Sequence, residues 1–159
     1  MTVRVAGPDD WAAWRDLRLE ALLDTPIGFV ETYQNASAKD EQAWRQRMAD
    51  VPLSVLAGSA GRVVGMSSGF LIDGRPFLGA VYVTPAHRGT GVLAALTAPV
   101  VAWARALKAT ELLLEVHERN LRARTAYARL GFVETGVTTP YPLDPGGLEL
   151  VMALPLAST

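Results

Sequence analysis

Hydrophobic and polar positions change period several times along this chain, and each change marks an element. Residues 2–6 alternate weakly and predict a first strand. Trp11, Trp14, Leu17, Ala21 and Leu22 then recur at helical spacing. They predict an amphipathic helix over 10–23, capped by Asp9 or Asp10 and ended by Asp24-Thr25-Pro26. Residues 27–36 fit a short helix or a loop equally. Ser37, with Asp40 three residues on, resembles a capping box for a second helix that runs to about Ala49. Its Trp44 and Met48 read as core. From Leu53 the period becomes two. Leu53–Ala57 and Arg62–Ile72, joined by a turn over Gly58–Gly61, predict an antiparallel hairpin. Asp73-Gly74 turns the chain into another strand, Pro76–Val83.

Helical and strand patterns alternate in the second half. A helix is predicted over 91–108, with Pro99 inside it removing a backbone bond and so predicting a kink. Glu111–His117 is a strand reached by that helical crossover, which predicts a parallel, right-handed connection. Asn120 caps a helix over Leu121–Leu130, and Gly131 stops it. Phe132-Val-Glu-Thr opens a strand, residues 136–147 read as a Pro- and Gly-rich loop, and Leu148–Leu154 closes the chain as a strand. The fold class is therefore mixed α/β (α+β), with helices on both faces of a mixed sheet. One domain is expected over 1–159.

Composition removes several function classes. With a net charge of −1, nothing global attracts nucleic acid, so any anion site must be local. The absence of cysteine excludes a thiol nucleophile, disulfides and thiolate-held metal. Only His87 and His117 are present, so no metal site is expected. The N-terminal residues lack a signal-peptide pattern, and the apolar run after Gly91 is broken by Pro99 and Trp103-Ala-Arg. No membrane span and a cytoplasmic location are expected.

One stretch carries chemistry, Val81-Tyr-Val-Thr-Pro-Ala-His-Arg-Gly-Thr-Gly-Val-Leu93. It reads as a strand, a stop at Pro85, an Arg/Gly loop and the start of a helix. Gly89 and Gly91 permit close approach to the backbone. Unpaired N–H groups and the helix dipole attract anions, and Arg88 adds a fork of donors. The spacing is neither that of a Walker loop nor Gly-x-Gly-x-x-Gly.

Val83-Thr-Pro85 with Arg88-Gly-Thr-Gly91 resembles the acyl-CoA loop of the GNAT superfamily of N-acetyltransferases. Leu114-Glu-Val116, Asn120, Ala123, Tyr127, Gly131 and Phe132 resemble that superfamily's second motif. Leu93 departs from the pattern, standing where Gly or Ala is usual. The resemblance implies a central mixed sheet of six to seven strands, acetyl-CoA as co-substrate and a small-molecule or peptide amine as acceptor. It also implies a candidate homodimer sharing the apolar C-terminal strand.

Residue roles follow from the same resemblance. Arg88, Gly89, Thr90, Gly91, Val92 and Leu93 would hold the pyrophosphate through backbone N–H groups, and a group near Val83 would stabilise the thioester oxygen. Tyr82 is counted with Val83 among the cofactor-binding residues, and with Glu31 is also a candidate for the acceptor pocket. Asn120 is both a helix cap and a contact for the CoA arm. Tyr127 is the candidate acid for the leaving thiolate, or a half-buried core tyrosine. Glu115 is the candidate base for the amine, or an exposed strand carboxylate; His117 is a second candidate base. Arg122, Arg124 and Arg129 are candidates to neutralise phosphate, or a solvated helix face. The absence of a nucleophile predicts direct attack of the amine, without an acyl-enzyme. The acceptor pocket is expected from 24–36 and 136–147. A non-catalytic acyl-CoA-binding module and a nucleotide-binding protein of another kind are the rival readings.

Overall fold

A computed structural model describes residues 1–157; the last two residues of the expected domain, 158 and 159, lie outside the described residues. Seven strands form one sheet: β1 (Thr2–Val5), β2 (Leu53–Ser59), β3 (Arg62–Ile72), β4 (Arg75–Val83), β5 (Glu111–His117), β6 (Val133–Pro140) and β7 (Leu148–Pro155). Their order is β1-β2-β3-β4-β5-β7-β6. Every neighbouring pair is antiparallel except β4 and β5, which are parallel as the helical crossover requires.

Five α-helices cover the sheet: α1 (Trp11–Asp24), α2 (Tyr33–Ser37), α3 (Glu41–Asp50), α4 (Val92–Ala106) and α5 (Leu121–Arg129). The two faces of the sheet carry separate hydrophobic layers. Leu112, Leu114 and Val116 pack with Leu96 and Val100 of α4 and Tyr127 of α5. On the opposite side of the sheet, Leu56, Met66 and Tyr82 pack with Trp14 and Leu17 of α1 and Trp44 of α3. The period-two and helical patterns thus bury the residues they single out. No helix among the described residues is long and apolar enough to cross a membrane.

Several local expectations are corrected. The cap of α3 is Asp40, whose Oδ1 accepts the Ala43 N–H at 2.9 Å; Ser37 instead ends α2. Asp10 is the N-cap residue of α1 as expected, but its carboxylate makes no cap bond there and instead accepts the Gly7 N–H at 2.9 Å. α4 is a single helical element from Val92 to Ala106 with Pro99 inside it. Residues 136–140, expected in a loop, continue β6 through an irregularity between Glu134 and Thr138, and only 141–147 leave the sheet. Gly136, at φ +84°, supplies the backbone freedom for that irregularity, so its glycine marks a bulge rather than a loop.

The pairing of β4 positions everything that follows. Between the pairs Ser68–Gly79 and Met66–Tyr82, two residues of β4 (Ala80 and Val81) oppose the single Ser67 of β3. Ala80 takes φ +50°, an uncommon conformation for a residue with a Cβ. Such a bulge bends and twists its strand. On the other edge, β4 and β5 are in register only at Phe77–Leu113. Beyond that pair the two strands part, and the sheet opens toward their C-terminal ends.

Candidate active site

The opening between β4 and β5 leads into a cavity of about 570 Å³. Val81–Val83 line one wall and Glu115–His117 the other; Arg88–Gly91 and Leu93 lie at one end, and Asn120 and Tyr127 of α5 close the side. Of the eleven site residues expected from sequence, nine line this space; Thr90 and Val92 do not. Val92 is turned into the core, while the Thr90 hydroxyl donates to the His87 carbonyl.

At the loop, Gly89 and Gly91 adopt φ +74° and +89°, and nothing stands within 4 Å of where their Cβ atoms would be. A bound group can therefore approach the backbone from that side. The first α4 backbone bond runs from the Ala95 N–H to the Gly91 carbonyl, which leaves the preceding N–H groups of the helix start without an intrahelical acceptor. The Arg88 N–H is an exception, being donated to the Pro85 carbonyl at 3.4 Å.

The Arg88 side chain is turned back on the protein. Its Nε donates to the Val83 carbonyl at 3.0 Å, its Nη2 donates to Asp24 at 2.6 Å, and its guanidinium lies 5.6 Å from the Tyr82 ring centroid. The fork expected to face the anion thus braces the end of β4 against the end of α1. The guanidinium, followed by Thr25, holds the Asp24 carboxyl below the usual carboxylate range. Of the three arginines of α5, Arg122 and Arg129 line the cavity, whereas Arg124 is a strut to Glu134 (2.6 Å) and to the Glu118 carbonyl (2.8 Å).

Strand alternation aims the backbone at the opening. The Thr84 N–H donates to the Val64 carbonyl at 2.9 Å, so its neighbour Val83 presents its N–H on the other edge of β4, toward β5. The Val83 carbonyl on that edge is taken by Arg88. Tyr82, by contrast, donates its hydroxyl to Glu20 at 2.7 Å; burial, then that hydrogen bond, raises its pKa.

Tyr127 packs edge-on to Phe132, with ring centroids 5.8 Å apart, and is 9% exposed. Burial alone raises its pKa, so the phenol stays protonated at neutral pH. Asn120 caps α5, its Oδ1 accepting the Ala123 N–H at 3.4 Å, and its side chain also reaches the cavity.

One carboxylate lies on the second wall and another behind it. Glu115 accepts a hydrogen bond from the Thr139 hydroxyl at 3.1 Å. Glu149 of β7 is 9% exposed, and its pKa is pushed up to about 7, first by burial, then by the charge of Glu115 and a hydrogen bond with it. His117 is buried, and its Nδ1 accepts the Arg119 N–H at 3.0 Å. Its ring meets Tyr141 edge-on at 4.8 Å, and the Tyr141 hydroxyl donates to the Phe29 carbonyl at 2.6 Å. This bond ties the loop after β6 to the segment after α1, across the end of β5. Glu31 does not face the cavity: Arg18 (3.1 Å) and Lys39 hold it in an ion-paired group beside α1.

The sequence places Glu149 among the carboxylates of the expected acceptor region, and Thr139 and Tyr141 within 136–147, but assigns none of the three a role. Glu149 left one signal, being a carboxylate sharing a strand face with Val151 and Ala153. Thr139 and Tyr141 are marked only by their segment, expected as a loop that lines the acceptor pocket, and not individually.

The parted parallel pair, the glycine loop and the helix start form one site, and comparison with known families identifies its class. The chain belongs to the acetyltransferase (GNAT) family, whose model matches residues 11–132. It is 30% identical over 155 residues to an aminoglycoside N(6')-acetyltransferase type 1 from Stenotrophomonas maltophilia, covering 91% of this chain and 95% of that one. Among solved structures, a GNAT superfamily phosphinothricin acetyltransferase from Sinorhizobium meliloti, in complex with AcCoA, shares the fold. It matches at a TM-score of 0.79 and 20% identity, covering 98% of this chain and 88% of that one. The ribosomal-protein-S18-alanine N-acetyltransferase of Escherichia coli matches at a TM-score of 0.70 and 17% identity, covering 99% and 95%.

Proposed function

We propose that this protein transfers the acetyl group of acetyl-CoA to a primary amine by direct attack within a ternary complex. The observation that carries the reading is the parting of β4 from β5 beyond Phe77–Leu113, directly above the glycine loop. It frees backbone donors on one strand and presents a carboxylate on the other.

The residues fit the co-substrate. Open space at Gly89 and Gly91 and the N–H groups from Gly89 to Leu93 suit a diphosphate, with Arg122 and Arg129 adding positive charge at the cavity wall. Asn120 is a polar contact for the pantetheine arm. Acetyl-CoA supplies an activated acyl group, a thioester whose carbonyl oxygen gains negative charge as the amine attacks. The Val83 N–H is the donor for that oxygen; such donors are commonly worth about 3 kcal/mol in the transition state. Tyr127, kept neutral by burial, gives its proton to the departing sulfur. Glu115 takes the proton that the attacking amine loses. The single domain expected over 1–159 is part of the same proposal.

The acceptor enters between the segment after α1 and the loop after β6, which Tyr141 ties together. An aminoglycoside amine is the first acceptor to test, because the 30%-identical relative acts on that class by its name. Thiol release from acetyl-CoA, measured across aminoglycosides, polyamines, amino acids and N-terminal peptides, tests the reading. Turnover on at least one amine, reduced in Tyr127→Phe, is expected. Tight acetyl-CoA binding with no turnover on any amine would leave a binding module instead.

A further inference from the structure

Glu149 is close to Glu115 and takes no place in the mechanism above. The sheet sets their relation. Glu149 stands directly opposite His117 on β5 and opposite Thr139 on β6, so all three side chains share one face. Glu115, two residues before His117 on the same face, is the diagonal neighbour of Glu149. Glu115 lines the cavity, whereas Glu149 lies behind it, 9% exposed.

No cation balances the two carboxylates. Neither takes part in an ion pair among the described residues, and the Thr139 hydroxyl bound to Glu115 is uncharged. The other titratable groups around Glu149 are His117, whose Nδ1 accepts the Arg119 N–H, and Tyr141 and Asp144 from the loop between β6 and β7. A buried carboxylate diagonal to a second one resists ionisation, so Glu149 keeps its proton toward neutral pH.

We propose that Glu115 and Glu149 act as one proton-holding pair, in which Glu149 is a positioning residue that sets the charge and basicity of Glu115 toward the incoming amine. The proposal rests on the reading of Glu115 as the base. Below neutral pH the pair holds one proton and one negative charge. As pH rises through about 7 Glu149 ionises, in line with its raised pKa. The second charge makes Glu115 the stronger base and attracts an ammonium to the mouth of the cavity. No covalent step is added: the proton leaves the amine nitrogen for the pair and passes from there to water.

Infrared titration of the carboxyl C=O stretch in the protein without ligands tests the pair directly. The wild type should lose a protonated-carboxyl band near pH 7, and Glu149→Gln should lack that band. In Glu115→Gln the midpoint should fall by about one pH unit, since the neighbouring charge is gone. An unchanged midpoint in Glu115→Gln would overturn the proposal, because Glu149 would then titrate alone. Acetyl transfer to kanamycin A supplies the kinetic arm. Glu149→Gln should flatten the rise of kcat/KM between pH 6 and 8, with about a tenfold loss at pH 8, smaller than the loss of a full general base. A Glu149→Gln profile parallel to the wild type would overturn the positioning role. Full activity in Glu115→Gln, with the infrared coupling intact, would instead remove Glu115 as the base and leave the pair's shared proton standing.

Discussion

From Val81 to Leu93 the cavity wall is one continuous stretch, and most of what it offers a ligand is backbone: N–H groups, open space beside two glycines, a strand edge. Across the opening, Glu115 faces the cavity, and Thr139, Tyr141 and Glu149 back it from β6, the following loop and β7, so what this side offers rests on side chains. A backbone cradle depends on conformation, so it tolerates many side chains and suits a group shared by many proteins. A side-chain cluster depends on identity, so it suits the partner that differs from one protein to the next. The proposed cofactor half and acceptor half therefore respond to different kinds of substitution.

The largest expected effect lies on the acceptor side. Glu115→Gln should lower kcat/KM for the amine by about a hundredfold or more, with the acetyl-CoA Kd measured by calorimetry unchanged. If acetyl-CoA binding fell in step, the two halves would not be separable.

Next comes the cradle. Gly91 sits at φ +89° at the entry to α4, so Gly91→Val strains the loop by roughly 1–2 kcal/mol and should weaken acetyl-CoA binding about tenfold. The amine KM, extrapolated to saturating acetyl-CoA, should stay within twofold. Unchanged acetyl-CoA affinity would mean that the loop is not where the co-substrate rests.

The smallest effect belongs to the tie between the two loops. Tyr141→Phe keeps the ring against His117 but loses the hydrogen bond to the Phe29 carbonyl, worth about 1 kcal/mol. The amine KM should rise about fivefold with kcat little changed. A fall in kcat alone would place Tyr141 nearer the chemistry than the geometry does.

How much of this was legible follows the same division. The cradle and both flanking elements could be read because strand, glycine loop and helix start are consecutive, and Gly89 and Gly91 advertise positive φ. The parallel register of β4 and β5 could be read from the crossover. Their parting could not, because it depends on the bulge at Ala80, a residue with no turn signature. Glu115 could be singled out on its own strand, but its neighbour Glu149 lies thirty-four positions away in the chain and meets it only through the pairing of β5 with β7. Arg88 shows the opposite failure. Its position in the loop suggested an anion contact, while the structure commits its guanidinium to Val83 and Asp24, a bond partner sixty-four residues earlier.

Single-turnover transfer from acetyl-CoA carrying a labelled acetyl group is the most direct test of the central claim, that the amine attacks the thioester inside one complex. Enzyme, labelled acetyl-CoA and an accepted amine are mixed rapidly and quenched, and label is followed on protein and amine by mass spectrometry. The account predicts label appearing on the amine nitrogen as free CoA appears, with the protein unlabelled at every time. Label that accumulates on the protein before the amine, and then leaves it at the rate of turnover, would contradict it.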